Sequence, residues 1–438
     1  MSTQSEKKTT AGSYFVSNYP PFSVWKPDYV SSAFESIERQ PHPEANLGIY
    51  LHIPFCRKRC HFCYFRVYTD KNSSEIRRYL DALTREFELY ADKPIIGGRK
   101  PKYIYFGGGT PSFLSPHQLT GLVETMQKKL PWDAAEEITF ECEPGTLTEA
   151  KLEAIRSIGV TRLSLGVEHF DDQVLELNNR AHRSGEIGRA YDFARSIEFP
   201  QINIDLIAGM LGETDEKWLD AVRKALAMQP DSLTVYQMEI PFNTTIYRDM
   251  MKEKGTEIAP VADWQTKRRW VKEAFAIFEE AGYTVTSAYT AVKNPESTKF
   301  IYRDMLWSGA DMLGLGVSSF GHYGGVHAQN EKDMGPYLEK VEAGELPINR
   351  AKPLTDDERL IREFALQHKL GRVPRAYFQE KFDVDVFERF AGPLQELKND
   401  GVLDYDDEAI HLTRDGLLRI DEGLKKYFLP EHQEVRYT

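Results

Sequence analysis

Apolar and polar positions follow two periods along this chain. Short apolar runs rich in Ile, Leu, Val, Tyr and Phe occupy 48–53, 102–106, 138–142, 162–167, 201–207 and 232–237. Each has the length of a buried strand. Between them the period lengthens to that of a helix, over 73–91, 116–129, 148–158, 186–197 and 214–228. In the first of these, Leu80, Leu83, Phe87 and Tyr90 recur on one face. Thr148 opens the third after a Pro-Gly break, a position suited to an N-cap. Strand and helix in repeated alternation predict a parallel sheet. Right-handed crossovers curl such a sheet into a barrel or an open barrel. The expected fold class is α/β, a partial (β/α)6 barrel.

The pattern changes after Ala281. Residues 310–325 are glycine-rich and are expected to return toward the barrel mouth. From about Pro353 the chain reads as helical and charged, closing with 394–403, a turn, and a short strand at 409–412. Helices followed by a small hairpin predict a winged-helix-like α+β appendage. The expected division is an N-terminal arm or lid (1–46), the barrel (47–285), a capping segment (286–350) and the appendage (351–438). A chain of 438 residues is too long for one ordinary core, which agrees with such a division.

Composition narrows the function. Hydrophobic residues make up 41% and charged residues 28%, as in a soluble globular protein. The net charge, 55 − 67 = −12, argues against general nucleic-acid binding. The acidic run 404–408 makes the same point for the appendage. No apolar run approaches the roughly 20 residues of a membrane span. Residues 1–12 are polar and lack the apolar core of a secretory signal, so the cytoplasm is the expected location.

Of the four cysteines, three lie within eight residues, Cys56-Arg-Lys-Arg-Cys60-His-Phe-Cys63, spaced C-x3-C-x2-C. Clustered thiols read as metal ligands rather than as a disulfide scaffold. Three cysteines on a four-iron cluster leave one iron open for a chelating ligand. The amino and carboxylate groups of S-adenosylmethionine (SAM) suit that position. The alternative is structural zinc on the three cysteines and His61. Cys142 stands apart in an apolar run and is expected to be buried and structural. The cysteines, the glycines after Phe106, and Glu141, Glu168 and Asp205 all fall at the C-terminal ends of predicted strands. Chemistry gathers there in such folds.

These motifs resemble the radical SAM superfamily and, more narrowly, the oxygen-independent coproporphyrinogen III oxidase-like family. That family comprises the oxidase, a related haem chaperone, and radical SAM methyltransferases and cyclopropanases. The resemblance runs from about Leu47 to Leu424. It rests on Tyr50-Leu-His-Ile-Pro-Phe-Cys56, Gly107-Gly-Gly-Thr-Pro111, Asn203-Ile-Asp-Leu-Ile207 and Gly314-Leu-Gly-Val-Ser318. It implies a [4Fe–4S] cluster on Cys56, Cys60 and Cys63, and a radical SAM barrel. It also implies a cleaved SAM lined by Tyr50, Phe62, Gly108, Gly109, Thr110 and Glu141. A second SAM would be held by Glu168, Arg180 and Asp205. Glu168 stands where the family has glutamine, and Phe65 where the oxidase has a fourth cysteine. Arg57, Lys58, Arg59, Arg66 and Lys71 crowd the cysteine loop, either to offset cluster charge or to meet an acidic substrate, or as a solvated loop.

The reading that follows is a radical SAM enzyme acting on an apolar small molecule by C-methylation or cyclopropanation. A low-potential flavodoxin or ferredoxin is the expected electron donor. The tetrapyrrole-decarboxylating oxidase and the haem chaperone are the alternatives. The aromatic stretch 14–22 resembles the oxidase's N-terminal arm, while His322 and His327 are candidate haem ligands for the chaperone.

Overall fold

The structure, a computed structural model, describes residues 15–252 and 261–435. Tyr14 of the expected arm and the polar segment 1–12 lie outside the described residues. The arm leads into α1 (Val30–Ile37). Six strands then follow, β1 (Leu47–Ile53), β2 (Tyr103–Gly108), β3 (Glu137–Cys142), β4 (Arg162–Glu168), β5 (Gln201–Ala208) and β6 (Ser232–Gln237). They lie side by side in chain order, every neighbouring pair parallel. The crossovers are α2 (Ser73–Ala91), α3 (Pro116–Lys129), α4 (Glu149–Ser157), α5 (Asp172–Leu177), α6 (Ser184–Ser196) and α7 (Asp215–Ala227).

Local chemistry sets the helix starts. Asn72 accepts from Glu75 N while Glu75 reaches back to Asn72 N, a capping box at the head of α2. Ser115 and Gln118 form another at α3, with Pro116 in the first turn. Thr148 caps α4 through Lys151 N, as the sequence predicts.

The strands alternate in a way that defines the site. Ile49, Leu51, Ile53, Ile104, Phe106, Ile138, Phe140, Leu163, Leu165, Ile202 and Ile204 are buried in one core with the crossover helices. Burying each such side chain contributes about 1.5–3 kcal/mol. The intervening positions carry Tyr50, His52, Tyr105, Glu141, Arg162, Ser164, Asn203 and Asp205 and turn to the opposite, polar face.

The sheet stays open. Beyond β6 lie the antiparallel pair β7 (Thr284–Val285) and β8 (Thr290–Val292), entered from α8 (Thr245–Lys252) and α9 (Trp264–Glu280). Beyond β1 the segment expected to approach the mouth adds strands instead. β9 (Asp311–Leu315) runs parallel to β1, and β10 (Phe320–Tyr323), β11 (Val326–Asn330) and β12 (Ile348–Pro353) follow antiparallel. A short helix, α10 (Ile301–Trp307), packs against β2 and β3. Glu137 accepts its first amides, Ile301 N at 2.9 Å and Tyr302 N at 3.2 Å.

The C-terminal part holds a second core around Leu360, Phe364, Phe378, Phe390, Leu394 and Tyr427. Its small sheet has three strands, β13 (Arg372–Pro374), β14 (Leu403–Tyr405) and β15 (Ala409–Leu412), in the order β13-β15-β14. The expected hairpin is β14–β15, and β13 is the strand that the sequence reading missed. Val16 and Tyr19 of the arm belong to this core. The arm is pinned there by Val16 N to Asp421 (2.8 Å) and by the buried Lys369 to Val16 O (2.6 Å).

Candidate active site

The loop leaving β1 carries Cys56, Cys60 and Cys63, all free thiols. Its base is closed by Cys56 N to Tyr68 O (3.1 Å) and Tyr68 N to Pro54 O (2.8 Å). Two donors point at the sulfurs. Thr110 Oγ1 lies 3.3 Å from Cys56 Sγ, and Arg180 Nη1 lies 3.3 Å from Cys60 Sγ. Burial pushes the Cys56 thiol up to about 12 and the Cys63 thiol up to about 11, so these sulfurs need a positive partner to ionise. His61 Nδ1 is 3.0 Å from Leu177 O. Among the described residues no three His, Cys, Asp or Glu side chains converge on one point as a single metal ion requires.

Four of the five cations around the loop have partners within the chain. Arg57 makes a two-pronged pair with Glu143, Nε at 3.0 Å and Nη2 at 2.9 Å. Arg59 donates to Cys63 O at 3.2 Å, Arg66 pairs with Asp333 at 2.5 Å and Lys71 with Glu75 at 2.9 Å. Lys58 is exposed. Burial raises the Glu143 carboxyl, but its hydrogen bonds to His182 and Arg57 and the charges of Arg180 and Arg57 prevail and bring it to about 2.

The glycine motif runs off β2. Gly108 has φ +110°, and a Cβ there would fall 2.6 Å from the His52 ring. A Cβ on Gly109 would fall 2.9 Å from Ile53 O, so the two βα loops meet backbone to backbone. Glu141, on the neighbouring strand, accepts from Tyr105 OH at 2.6 Å and from Gly108 N at 3.3 Å. Tyr50 stacks on Tyr105, centroids 5.8 Å apart. Burial pushes the Glu141 carboxyl up to about 7, against the pull of the Tyr105 hydrogen bond. Phe62 packs with Val174, Met210, Leu211, Met238 and Ile246, a small core beside the loop.

Farther round the sheet, Glu168 ends β4 at a bulge with φ +63°, an uncommon backbone for a non-glycine residue and typical of functional sites. Its carboxyl lies 3.5 Å from Arg180 Nη2, and both are largely buried. Burial raises Glu168 to about 7, with Arg180 opposing and Asp205 and Glu141 adding. Arg180 Nη2 also donates to Gly166 O. Asp205 accepts from Ser164 Oγ at 2.9 Å and Asn203 Nδ2 at 2.8 Å. The fold thus gathers Glu141, Glu168, Arg180 and Asp205 beside the cysteine loop, with Thr110, Gly108 and Gly109 at its edge. Tyr105, Glu143, Arg162 and Tyr236 also face this region and escaped the sequence reading. The strand alternation that sends Glu141 inward sends Tyr105 and Arg162 inward too, and was the available signal.

His322 and His327 are buried and turned to each other, Nδ1 to Nδ1 at 3.0 Å. His327 Nε2 lies 3.0 Å from Tyr19 O, and Trp25 stacks on its ring.

Comparison with known proteins agrees with this geometry. The radical SAM superfamily domain matches residues 50–225, and the HemN C-terminal domain matches residues 354–419. The chain is 28% identical over 419 residues to the oxygen-independent coproporphyrinogen III oxidase of Escherichia coli (strain K12), covering 92% of this chain and 90% of the oxidase. It is 28% identical over 376 residues to the heme chaperone HemW of Bacillus subtilis (strain 168), covering 84% of this chain and 96% of the chaperone. The solved structure of coproporphyrinogen III oxidase (HemN) from Escherichia coli, a radical SAM enzyme, superposes with a TM-score of 0.80 at 26% identity. It covers 96% of this chain and 99% of that one.

An open parallel sheet with three cysteines after its first strand and a glycine cradle after its second defines a radical SAM enzyme. Within that superfamily the chain is similar along most of its length to the oxygen-independent coproporphyrinogen III oxidase and to the heme chaperone HemW. Membership implies a [4Fe–4S] cluster and SAM. The residues present fit both. Soft thiols with a hydroxyl and a guanidinium donating to them suit a polyanionic cluster, and the side-chain-free Gly108–Gly109 edge next to Glu141 suits a nucleoside with a charged amino-acid end.

Proposed function

We propose that this enzyme acts on a tetrapyrrole, oxidatively decarboxylating the propionate side chains of coproporphyrinogen III without oxygen. This places the oxidase ahead of the methylation or cyclopropanation expected from sequence. The supporting observation is that the likeness to the Escherichia coli oxidase spans 99% of that structure, C-terminal domain included. The arm, held between Glu239 at Phe15 N (2.8 Å) and Asp421 at Val16 N, is positioned to cover such a site. Coverage of this kind keeps water from a radical reaction.

In this reading Cys56, Cys60 and Cys63 hold the cluster. Tyr50, Gly108, Gly109, Thr110 and Glu141 bind the SAM that is cleaved, with Phe62 supporting the loop from behind. The bound cluster and SAM supply one-electron cleavage of the sulfonium C–S bond and hence hydrogen-atom abstraction. Glu141, fixed by Tyr105, accepts the ribose hydroxyls. Arg180 pairs with the carboxylate of a second SAM, which Glu168 and Asp205 hold through its hydroxyls. A reacting propionate, two of the four on the substrate, would give up one hydrogen atom to the radical that bound SAM supplies and one electron to an external one-electron acceptor. It releases carbon dioxide and leaves a vinyl group. The setting is cytoplasmic, with a flavodoxin or ferredoxin as electron donor.

One observation favours C-alkylation as a second reading. Phe65, 42% exposed and packed on Tyr64, fills the position of the oxidase's fourth cysteine. One anaerobic assay separates the two. The reconstituted enzyme is incubated with SAM, a strong reductant and coproporphyrinogen III, and carbon dioxide, 5′-deoxyadenosine and S-adenosylhomocysteine are quantified. Carbon dioxide with 5′-deoxyadenosine is expected. S-adenosylhomocysteine with no carbon dioxide would replace the decarboxylase reading with alkylation. A haem absorption band after anaerobic incubation with haem, with no carbon dioxide released, would instead favour the haem chaperone, to which the chain is also similar.

A further inference from the structure

Glu168 owes its place to a break in β4. Gly166 is level with Asp205 on β5, and Glu168 with Leu206, two steps on one strand against one on the other. A regular register would set Glu168 beside Ile207. The bulge draws it back by one residue, roughly 3.3 Å, toward Asp205. The chain absorbs the extra residue in a three-residue turn. His169 N donates to Val167 O at 2.8 Å, and Glu168 between them has φ +63°. Such a turn is rare and strained, and it persists only where its surroundings hold it. The side chain folds back over its own strand, since a Cβ on Gly166 would fall 2.9 Å from Glu168 Oε1 and 3.4 Å from Arg180 Nη2.

What holds the turn is buried. His169 Nδ1 accepts from Asp171 N at 2.9 Å. The proton of the neutral ring therefore sits on Nε2. That nitrogen lies 3.2 Å from Glu213 Oε1, and neither atom has another hydrogen-bond partner among the described residues. Glu213 Oε2 accepts from Gly209 N and, at 3.2 Å, from Met210 N, the two residues that leave β5. The pair thus joins the loop after β4 to the loop after β5. Its reach extends to Arg180. Asp171 caps α5 through Val174 N at 2.9 Å, and Arg180 N donates to Leu175 O of that helix at 2.8 Å. On the other side of the turn His182 Nε2 lies 3.1 Å from Val167 O. The side chains of His169 and Glu213 are wholly buried, so neither touches a ligand.

We propose that His169 and Glu213 are positioning residues that hold Glu168 in its strained turn, so that its carboxyl lies beside Arg180 and Asp205 to bind the second SAM. The inference rests on the assignment of Glu168 to that ligand made above. Without the pair the turn loses one of its two buried holds. The relaxed chain then carries Glu168 back toward Ile207 and away from Asp205.

Anaerobic equilibrium dialysis with SAM on the cluster-loaded full chain reads the number of sites and both affinities, for His169→Leu, Glu168→Ala and the two together. His169→Leu is expected to weaken the second SAM about tenfold, the worth of a displaced hydrogen bond to a charged group. The first SAM is expected to stay within about twofold of the parent, and iron content to be unchanged. Added to Glu168→Ala, His169→Leu is expected to cost nothing more, because it acts through that carboxyl alone. An equal loss in both backgrounds, or at both SAM sites, marks a general packing role and overturns the proposal, as does parent-like affinity in His169→Leu. His169→Gln, whose amide N–H can stand in for that of the ring, is expected to keep most of the affinity, and a loss as large as that of His169→Leu overturns the role given to the pair. A second readout needs no SAM. Amide hydrogen exchange over 166–171 is expected to quicken in His169→Leu while α6 keeps its rate, and unchanged exchange overturns the anchor itself. Should His169→Leu not fold for want of a partner to Glu213, His169→Leu with Glu213→Gln removes the buried charge. The same selective loss is expected there, and parent-like affinity overturns the proposal. A parent that binds one SAM, or Glu168→Ala that binds both like the parent, refutes the assignment of Glu168 and the proposal with it, while the exchange still shows whether the pair holds the turn.

Discussion

Replacing Glu143 with Ala should loosen the cysteine loop from the sheet. The carboxylate is the point where Arg57, next to Cys56, is tied to the end of β3 through bonds of 2.9 and 3.0 Å. His182 Nδ1 lies 3.2 Å from the same carboxylate, and Gly145 N donates to it at 3.1 Å. The carboxyl falls from 4.5 to about 2 in the folded protein. A drop of that size corresponds to about 3 kcal/mol. Glu143 is only 8% exposed but Arg57 is 35% exposed, and screening of the arginine reduces the expected loss to about 2 kcal/mol. Because the folded pKa is depressed, the contribution is present above pH 4.5 and is lost as pH falls toward 2. Urea unfolding of the cluster-free protein near neutral pH measures the stability term, and the rate of iron loss to a chelator measures the loop. Arg57→Ala should give a comparable loss, and the double variant far less than the sum, since the two side chains act as one pair. Additive losses, or a Glu143→Ala variant within about 0.5 kcal/mol of the parent that holds iron equally long, would refute this account.

Changing Cys56, Cys60 or Cys63 to Ala should abolish the iron–sulfur absorbance after reconstitution, whereas Cys142→Ala should keep it, because Cys142 is buried in the β3 core away from the loop. SAM should bind more tightly as pH rises through about 7, where the buried Glu141 becomes a carboxylate, and dialysis of Glu141→Gln should show that dependence removed. Arg180→Ala should lower the number of SAM bound per chain from two to one and weaken the cluster site less than any cysteine change. A count of one in the parent would dismiss the second site. Thr110→Val should shift the cluster's reduction potential downward, seen by spectroscopic titration, since it removes a hydrogen bond to Cys56 Sγ.

Much of this protein could be read from the chain alone, for local reasons. The helix expected over 73–91 is Ser73–Ala91, because Asn72, Glu75 and the apolar spacing of Leu80, Leu83 and Phe87 are all near in sequence. The strand positions were legible because one face of every strand is buried and apolar. The cysteine spacing, the glycine motif and the carboxylates at strand ends pointed to the chemistry before any contact was known.

The tertiary structure decided what depends on pairs far apart. The alternation placed Tyr105 and Arg162 on the face of Glu141, but only the assembled sheet shows which groups they meet there. The pair Arg57–Glu143 joins residues 86 apart, and Val16 meets Asp421 across 405. Of the loop cations, read as a charge offset, a substrate patch or a solvated loop, Arg57, Arg66 and Lys71 meet carboxylates and Arg59 a carbonyl, while Lys58 is exposed. The glycine-rich stretch after Ala310 became β9 and β10 because the free edge of β1 offered hydrogen-bond partners that no local pattern reports. Periodicity records which side of an element is buried; which groups share the resulting space, and with what charge, is set only when separate strands are brought together.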